Sequence, residues 1–140
     1  MCKIGFTGTR NGMTIFQQKA LKNILKRKEF EEFCHGDCIG SDAQAHTIAT
    51  EIKKTKNIKI IGHPPKYNKF RAFCKFDLEL KPVDYLSRNR NIVDETDFLI
   101  ATPDTSERLH SGTWSTIRYA RSKNKRIYII HKSGRVTIDK

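Results

Sequence analysis

Short apolar runs alternate along the chain with longer stretches in which apolar residues recur every three or four positions. Ile4-Gly5-Phe6-Thr7 reads as a buried strand and stops at Gly8-Thr9-Arg10-Asn11-Gly12. A helix is predicted over about 14–28, because Phe16, Ala20, Leu21, Ile24 and Leu25 share one face. Phe30 to Cys34 gives a second strand, ending at His35-Gly36-Asp37. Asp42 then has the character of an N-cap, with Ala45, Ile48, Ala49 and Ile52 as the apolar face of the next helix. Ile58 to Ile61 is a third strand, stopped by Gly62-His63-Pro64-Pro65. A further helix is predicted over about 83–96, followed by the strand Phe98-Leu99-Ile100-Ala101. Ser111-Gly112-Thr113 opens a helix running to about Lys123; Ile127-Tyr128-Ile129-Ile130 is the last core strand, and Val136-Thr137-Ile138 offers a short edge strand.

Strands that are apolar on both faces and alternate with amphipathic helices call for a parallel sheet covered on both sides. The expected architecture is therefore α/β: a Rossmann-like three-layer α/β/α domain with five parallel strands in the order 3-2-1-4-5, filling residues 1–140 as one domain. No repeat, linker or low-complexity segment interrupts it. Residues 66–82 break the rhythm, however. They place Tyr67, Phe70, Phe73 and Phe76 among Lys66, Lys69, Arg71, Lys75 and Lys81. Connections beyond about 12–15 residues in compact domains are usually functional or disordered. Aromatics at this density favour a packed flap, with a short helix as the alternative.

At 140 residues the chain is long enough to bury a core. No apolar run approaches the roughly 18 residues that a membrane span needs, so no membrane partner is expected. Met1-Cys2-Lys3 leads straight into the first strand, so a cleavable leader is not expected either. Four cysteines without that context suit reduced thiols and a cytoplasmic location. Twenty-seven Lys and Arg against fifteen Asp and Glu give a net charge of +12, a field that favours anionic partners. Clusters such as Lys53-Lys54-Thr55-Lys56 equally suit solvated helix ends.

In doubly wound sheets ligands bind beyond the carboxyl ends of the strands. The distinctive residues of this chain all fall there. They are Gly8-Thr9-Arg10, Gly36-Asp37-Cys38-Ile39-Gly40-Ser41-Asp42, Thr102-Pro103-Asp104 and Ser111-Gly112-Thr113-Trp114. Glycines let backbone N–H groups approach an anion, a helix N-terminus adds a favourable field, and hydroxyls donate to phosphate oxygens or cap the helix. Arg10, Arg71 and Arg88, with Asn89 beside the last, supply counter-charge. Trp114 either stacks on a base or packs between helices. Cys34, His35, Cys38 and His46 lack the tight paired spacing of a zinc site, so no metal is expected. Cys2 and Cys74 read as buried small hydrophobes. His46 stands one turn after Asp42, within reach of it on a helix face.

The ordered series Gly8-Thr9-Arg10, Gly36 to Asp42 with His46, Gly62-His63-Pro64-Pro65, Arg88-Asn89 and Ser111-Gly112-Thr113-Trp114 resembles the SLOG superfamily, over nearly the whole chain. It looks most like the small single-domain branch found in phages and bacteria. That superfamily includes Lonely Guy-type phosphoribohydrolases, the DNA-processing protein A family and sensor domains of defence systems. The resemblance implies a nucleotide-derived ligand, ADP-ribose-like or a cyclic nucleotide signal. Gly8, Thr9, Gly36, Gly40, Ser41, Asp42 and the turn from Ser111 to Thr113 would hold its phosphates and ribose. It also implies a homo-oligomer and no separate cofactor. The hydrolases follow their second glycine turn with catalytic glutamates, whereas here Gly112-Thr113 runs into Trp114, Ser115 and Thr116. Catalytic residues are therefore not assigned, and binding is favoured over catalysis, as in a viral sponge or a sensor of defence signals. The alternatives are a nucleotide N-glycosidase, with Asp37, Asp42 or Glu107 as its acid, and a single-stranded nucleic-acid binder suited to the +12 charge.

Overall fold

The computed structural model describes residues 2–139. Eleven elements run along the described residues: β1 (Lys3–Gly8), α1 (Ile15–Arg27), β2 (Glu32–His35), α2 (Ser41–Lys53), β3 (Lys59–Gly62), β4 (Leu78–Glu79), α3 (Tyr85–Asp94), β5 (Phe98–Thr102), α4 (Gly112–Ser122), β6 (Arg126–Ile130) and β7 (Val136–Asp139). They build one mixed sheet in the order β4-β3-β2-β1-β5-β6-β7. This corrects the expected five-stranded sheet: among the described residues there are seven strands, with β7 added at one edge, where the sequence offered a short edge strand, and the unforeseen β4 at the other. The five apolar runs form the middle of the sheet, all in parallel register, as in Ile4↔Phe33 and Gly5↔Leu99.

The additions differ in kind. β7 pairs antiparallel with β6 after a tight turn at Gly134, which has φ 89°. β4 is a two-residue parallel strand beside β3, drawn from the flap. Both are exposed, with Ile138 and Leu78 at the surface, so neither carries the apolar run that marks a core strand.

Alternation along the strands sends side chains into two cores, one on each face. Ile4, Phe6, Phe33 and Ile100 pack against Leu21 and Leu25 of α1 and Ala45 and Ala49 of α2. Leu99, Ala101, Ile127 and Ile129 pack against Ile92 of α3 and Trp114, Ile117 and Ala120 of α4. The result is three layers, α/β/α. No helix among the described residues is long and apolar enough to cross a membrane.

Local chemistry sets the helix ends. Thr14 caps α1 in a reciprocal capping box with Gln17. Asp84 accepts from the Ser87 amide at the start of α3. Asp42 is not the cap expected from sequence: Gly40 holds that place at φ 84°, and a Cβ there would strike the Arg10 carbonyl. The flap contains no helix. It is pinned by backbone bonds from Ile39 to Phe70, from Ala72 to Asp37 and from Lys66 to Val83.

Candidate functional site

The loops after β1, β2 and β5 meet at the carboxyl edge of the sheet around an open cleft of about 380 Å³. Gly8, Thr9 and Arg10 come to it from β1, Gly36 and Asp42 from the loop after β2, and Arg88 and Asn89 from α3. Ser111, Gly112 and Thr113 form its far wall at the start of α4. Ten of the residues singled out from sequence thus line one cavity.

Arg88 is the buried cation of the cleft, 5% exposed. Its guanidinium donates through Nη1 to the carbonyls of Gly36 and His63, through Nη2 toward Cys38 Sγ at 3.6 Å and through Nε to Asn89 Oδ1 at 2.7 Å. Every acceptor is neutral. Gly36 is required for this seat, because a Cβ there would occupy the guanidinium itself. The central carbon of the Arg10 guanidinium lies over Phe70, 3.9 Å from its ring centroid, and Arg108 reaches the cleft from the loop before α4. Among the described residues none of these three arginines forms an ion pair with a carboxylate.

The helix opposite them is anion-receptive. Ser111 caps α4 by accepting from the Trp114 amide at 3.2 Å, while the amides of Gly112 and Thr113 have no acceptor among the described residues. A Cβ on Gly112 would meet nothing within 4 Å, so the approach to those amides is open.

Two carboxylates line the cleft in different states. Burial pushes the Asp42 carboxyl up to about 6, against the pull of the nearby Arg88 and the Cys38 amide bonded to it at 3.1 Å. Asp104 accepts from Asn11 Nδ2 at 2.8 Å and Thr9 Oγ1 at 3.2 Å, and these bonds hold it below the ordinary carboxylate range. Asp104 is therefore a fixed anion and Asp42 a group that titrates near neutrality.

Six residues expected at the site do not line the cleft. Asp37 is fully buried and accepts from Arg71 Nε at 2.7 Å and from the Cys74 amide at 2.9 Å. Arg71 also pairs with Glu79 at 2.9 Å, so its charge is spent inside the protein. Gly40 serves the turn. Ser41 and Thr102 lie behind Gly8, their hydroxyls buried and without partners among the described residues. Trp114 is 4% exposed and donates through Nε1 to the Thr105 carbonyl at 3.2 Å, which makes it a core residue. Glu107 lies outside as well, held by Arg118 and Arg121.

His46 meets His35, not Asp42. The Asp37 amide donates to His35 Nδ1 at 3.0 Å, so His35 Nε2 carries the ring proton and donates to His46 Nδ1 at 2.9 Å. Burial holds His35 well below its ordinary pKa and lowers His46 too, which keeps both rings neutral. Cys74 Sγ joins this pair, the three potential ligand atoms lying within 4.8 Å of one another. Cys74 is half-buried beside Asp37 rather than in an apolar core, and burial pushes its thiol up to about 12.

The sequence reading missed Tyr85, Arg108 and His110 as cleft residues, and it placed Phe70 in the flap and Cys38 and Asp104 in the strand-end loops without giving them a role in binding. Arg108 and His110 immediately precede the glycine turn. Their basic character was the available signal.

Two solved structures share this arrangement of strands and helices. The molybdenum cofactor binding protein of the phototrophic bacterium Rippkaea orientalis superposes with a TM-score of 0.70 and 19% identity, over 93% of this chain and 76% of that one. TM1055, a structural-genomics target, superposes with a TM-score of 0.64 and 13% identity, over 91% and 72%. The likeness is one of fold. Comparison with protein-family models finds no match, nor does comparison with curated proteins.

Proposed function

We propose that this chain is a SLOG-type domain whose cleft binds a phosphate-bearing, nucleotide-derived small molecule, of ADP-ribose size, and holds it without cleaving it. The observation that carries this reading is Arg88: a buried guanidinium on the cleft wall whose hydrogen-bond acceptors are all neutral. A buried cation that no carboxylate touches, with Asp42 near it but not bonded to it, is only partly compensated, and an anion entering the cleft completes that compensation. Arg10, Arg108 and the amides of Gly112 and Thr113 converge on the same space. Charge-assisted bonds of this type contribute about 1.5–3 kcal/mol each. A protein of the same fold that binds the molybdenum cofactor accords with a small-molecule cargo. Capture of a defence signal, as a sponge or a sensor, extends the proposal to biology.

A second reading rests on Asp42. A carboxyl that titrates near 6 on the wall of a cleft is suited to donate a proton to a leaving group. In that reading the protein is an N-glycosidase. The absence of any carboxylate in the first turn of α4 favours binding.

Calorimetry with ADP-ribose tests the binding reading. Arg10 and Arg108 are exposed, so Arg10→Ala and Arg108→Ala preserve the fold; each is expected to weaken binding roughly tenfold or more. Unchanged affinity in both variants would remove the cleft as the anion site.

A further inference from the structure

Tyr67 projects from the flap with 63% of its surface exposed. It is nonetheless held in place. The neighbouring Lys66 amide donates to the Val83 carbonyl at 2.7 Å, and Pro65 bridges to Val83. Arg71 donates its amide to the Asn68 carbonyl at 3.0 Å, closing a turn on the other side. The Tyr67 ring stacks on Tyr85 with centroids 6.4 Å apart and planes 28° from parallel. Tyr85 in turn lines the cleft. An aromatic surface thus runs from inside the cleft out onto the flap. Lys66 and Lys69 flank Tyr67, both exposed, and neither forms an ion pair among the described residues.

We infer that Tyr67 is the stacking platform for a second planar base, so that the preferred ligand is a dinucleotide whose two nucleosides are joined through phosphates. The inference rests on the proposed anion-binding role of the cleft and adds the part of the ligand that lies outside it. The phosphates sit among Arg10, Arg88 and Arg108. One nucleoside remains in the cleft, and the other follows the Tyr85–Tyr67 surface outward, with Lys66 and Lys69 beside its ribose. A rigid exposed ring flanked by unpaired cations is suited to this, because stacking on a pre-ordered aromatic costs little conformational entropy and tolerates any base.

The test is a matched pair of ligands. Diadenosine diphosphate contains the whole ADP-ribose skeleton and differs by an adenine on the second ribose. Calorimetry of both with the wild-type protein is expected to give about a tenfold tighter constant for the dinucleotide, the effect of one stacked base. Tyr67→Ala removes that advantage and leaves ADP-ribose affinity unchanged, whereas Tyr67→Phe keeps it. Equal wild-type affinities, or a Tyr67→Ala loss shared by both ligands, would overturn the inference and leave the cleft reading standing. Failure of both ligands to bind would overturn the cleft reading itself, and this inference with it.

Discussion

Arg71 donates through Nε to the fully buried carboxylate of Asp37 at 2.7 Å, tying the flap to the loop after β2. Sequence position suggested that both residues face an anionic ligand. They face each other instead, and the second Asp37 oxygen accepts from the Cys74 amide. Asp37 itself holds a left-handed φ of 57°, which lets one short loop accept the flap and still begin α2. Asp37→Ala would leave a buried guanidinium nitrogen and an amide without acceptors. The expected loss is about 3 kcal/mol in denaturant unfolding, the low end for breaking a buried pair because Arg71 retains Glu79. A loss under about 0.5 kcal/mol, the size of an ordinary surface change, would show that the flap is anchored elsewhere.

Gly112→Glu separates binding from folding. The Cβ enters open space, and a carboxylate in the first turn of α4 complements the helix dipole. Thermal stability is expected to stay level or rise slightly, while the affinity for ADP-ribose falls below detection in calorimetry. Retained affinity would take the α4 terminus out of the site.

Asp42 is expected to make stability and, on the proposed reading, binding depend on pH. Its carboxyl in the folded protein titrates near 6, above the ordinary 3.8, so the native state holds the extra proton between these values. Stability therefore declines as pH rises from about 4 to 6, by on the order of 3 kcal/mol in total. Asp42→Asn is expected to be more stable than wild type at pH 7, with the difference closing toward pH 4. Equal unfolding midpoints at pH 7 would contradict the buried-charge cost.

On the proposed reading the same group also acts on the ligand. A pyrophosphate diester keeps its charge from pH 5 to 8, so a fall in wild-type affinity through pH 6 reports Asp42 ionising beside the anion. Asp42→Asn should flatten that profile. A profile that keeps its slope in the variant would assign it to another group.

Much of the fold was legible because the five central strands carry apolar residues on both faces, as Phe98 to Ala101 do. Burial on two sides leaves an unbroken hydrophobic run that no loop imitates. β4 had no such mark: Leu78 and Glu79 are both exposed, and their pairing depends on the flap being held beside β3. The candidate site was legible where close packing demanded glycine, as at Gly36 beneath Arg88 and Gly8 against Ser41 and Thr102. It was not legible where a charge could be satisfied in two ways. Arg71 and Arg108 look alike in sequence, yet only Arg71 has buried Asp37 opposite it. Trp114 likewise offered two roles, and its spacing with Ile117 and Ala120 on one face of α4 was the signal for the core.

The central claim is that the cleft takes up a nucleotide-derived ligand and keeps it intact. The direct measurement is to incubate the protein with ADP-ribose, separate bound from free ligand by gel filtration, heat-denature the protein fraction and chromatograph what it releases. The account predicts intact ADP-ribose carried with the protein at up to one molecule per chain. Free base or ribose phosphate accumulating over many turnovers would contradict it and make Asp42 the first residue to replace, and a protein fraction carrying no ligand at all would contradict the site.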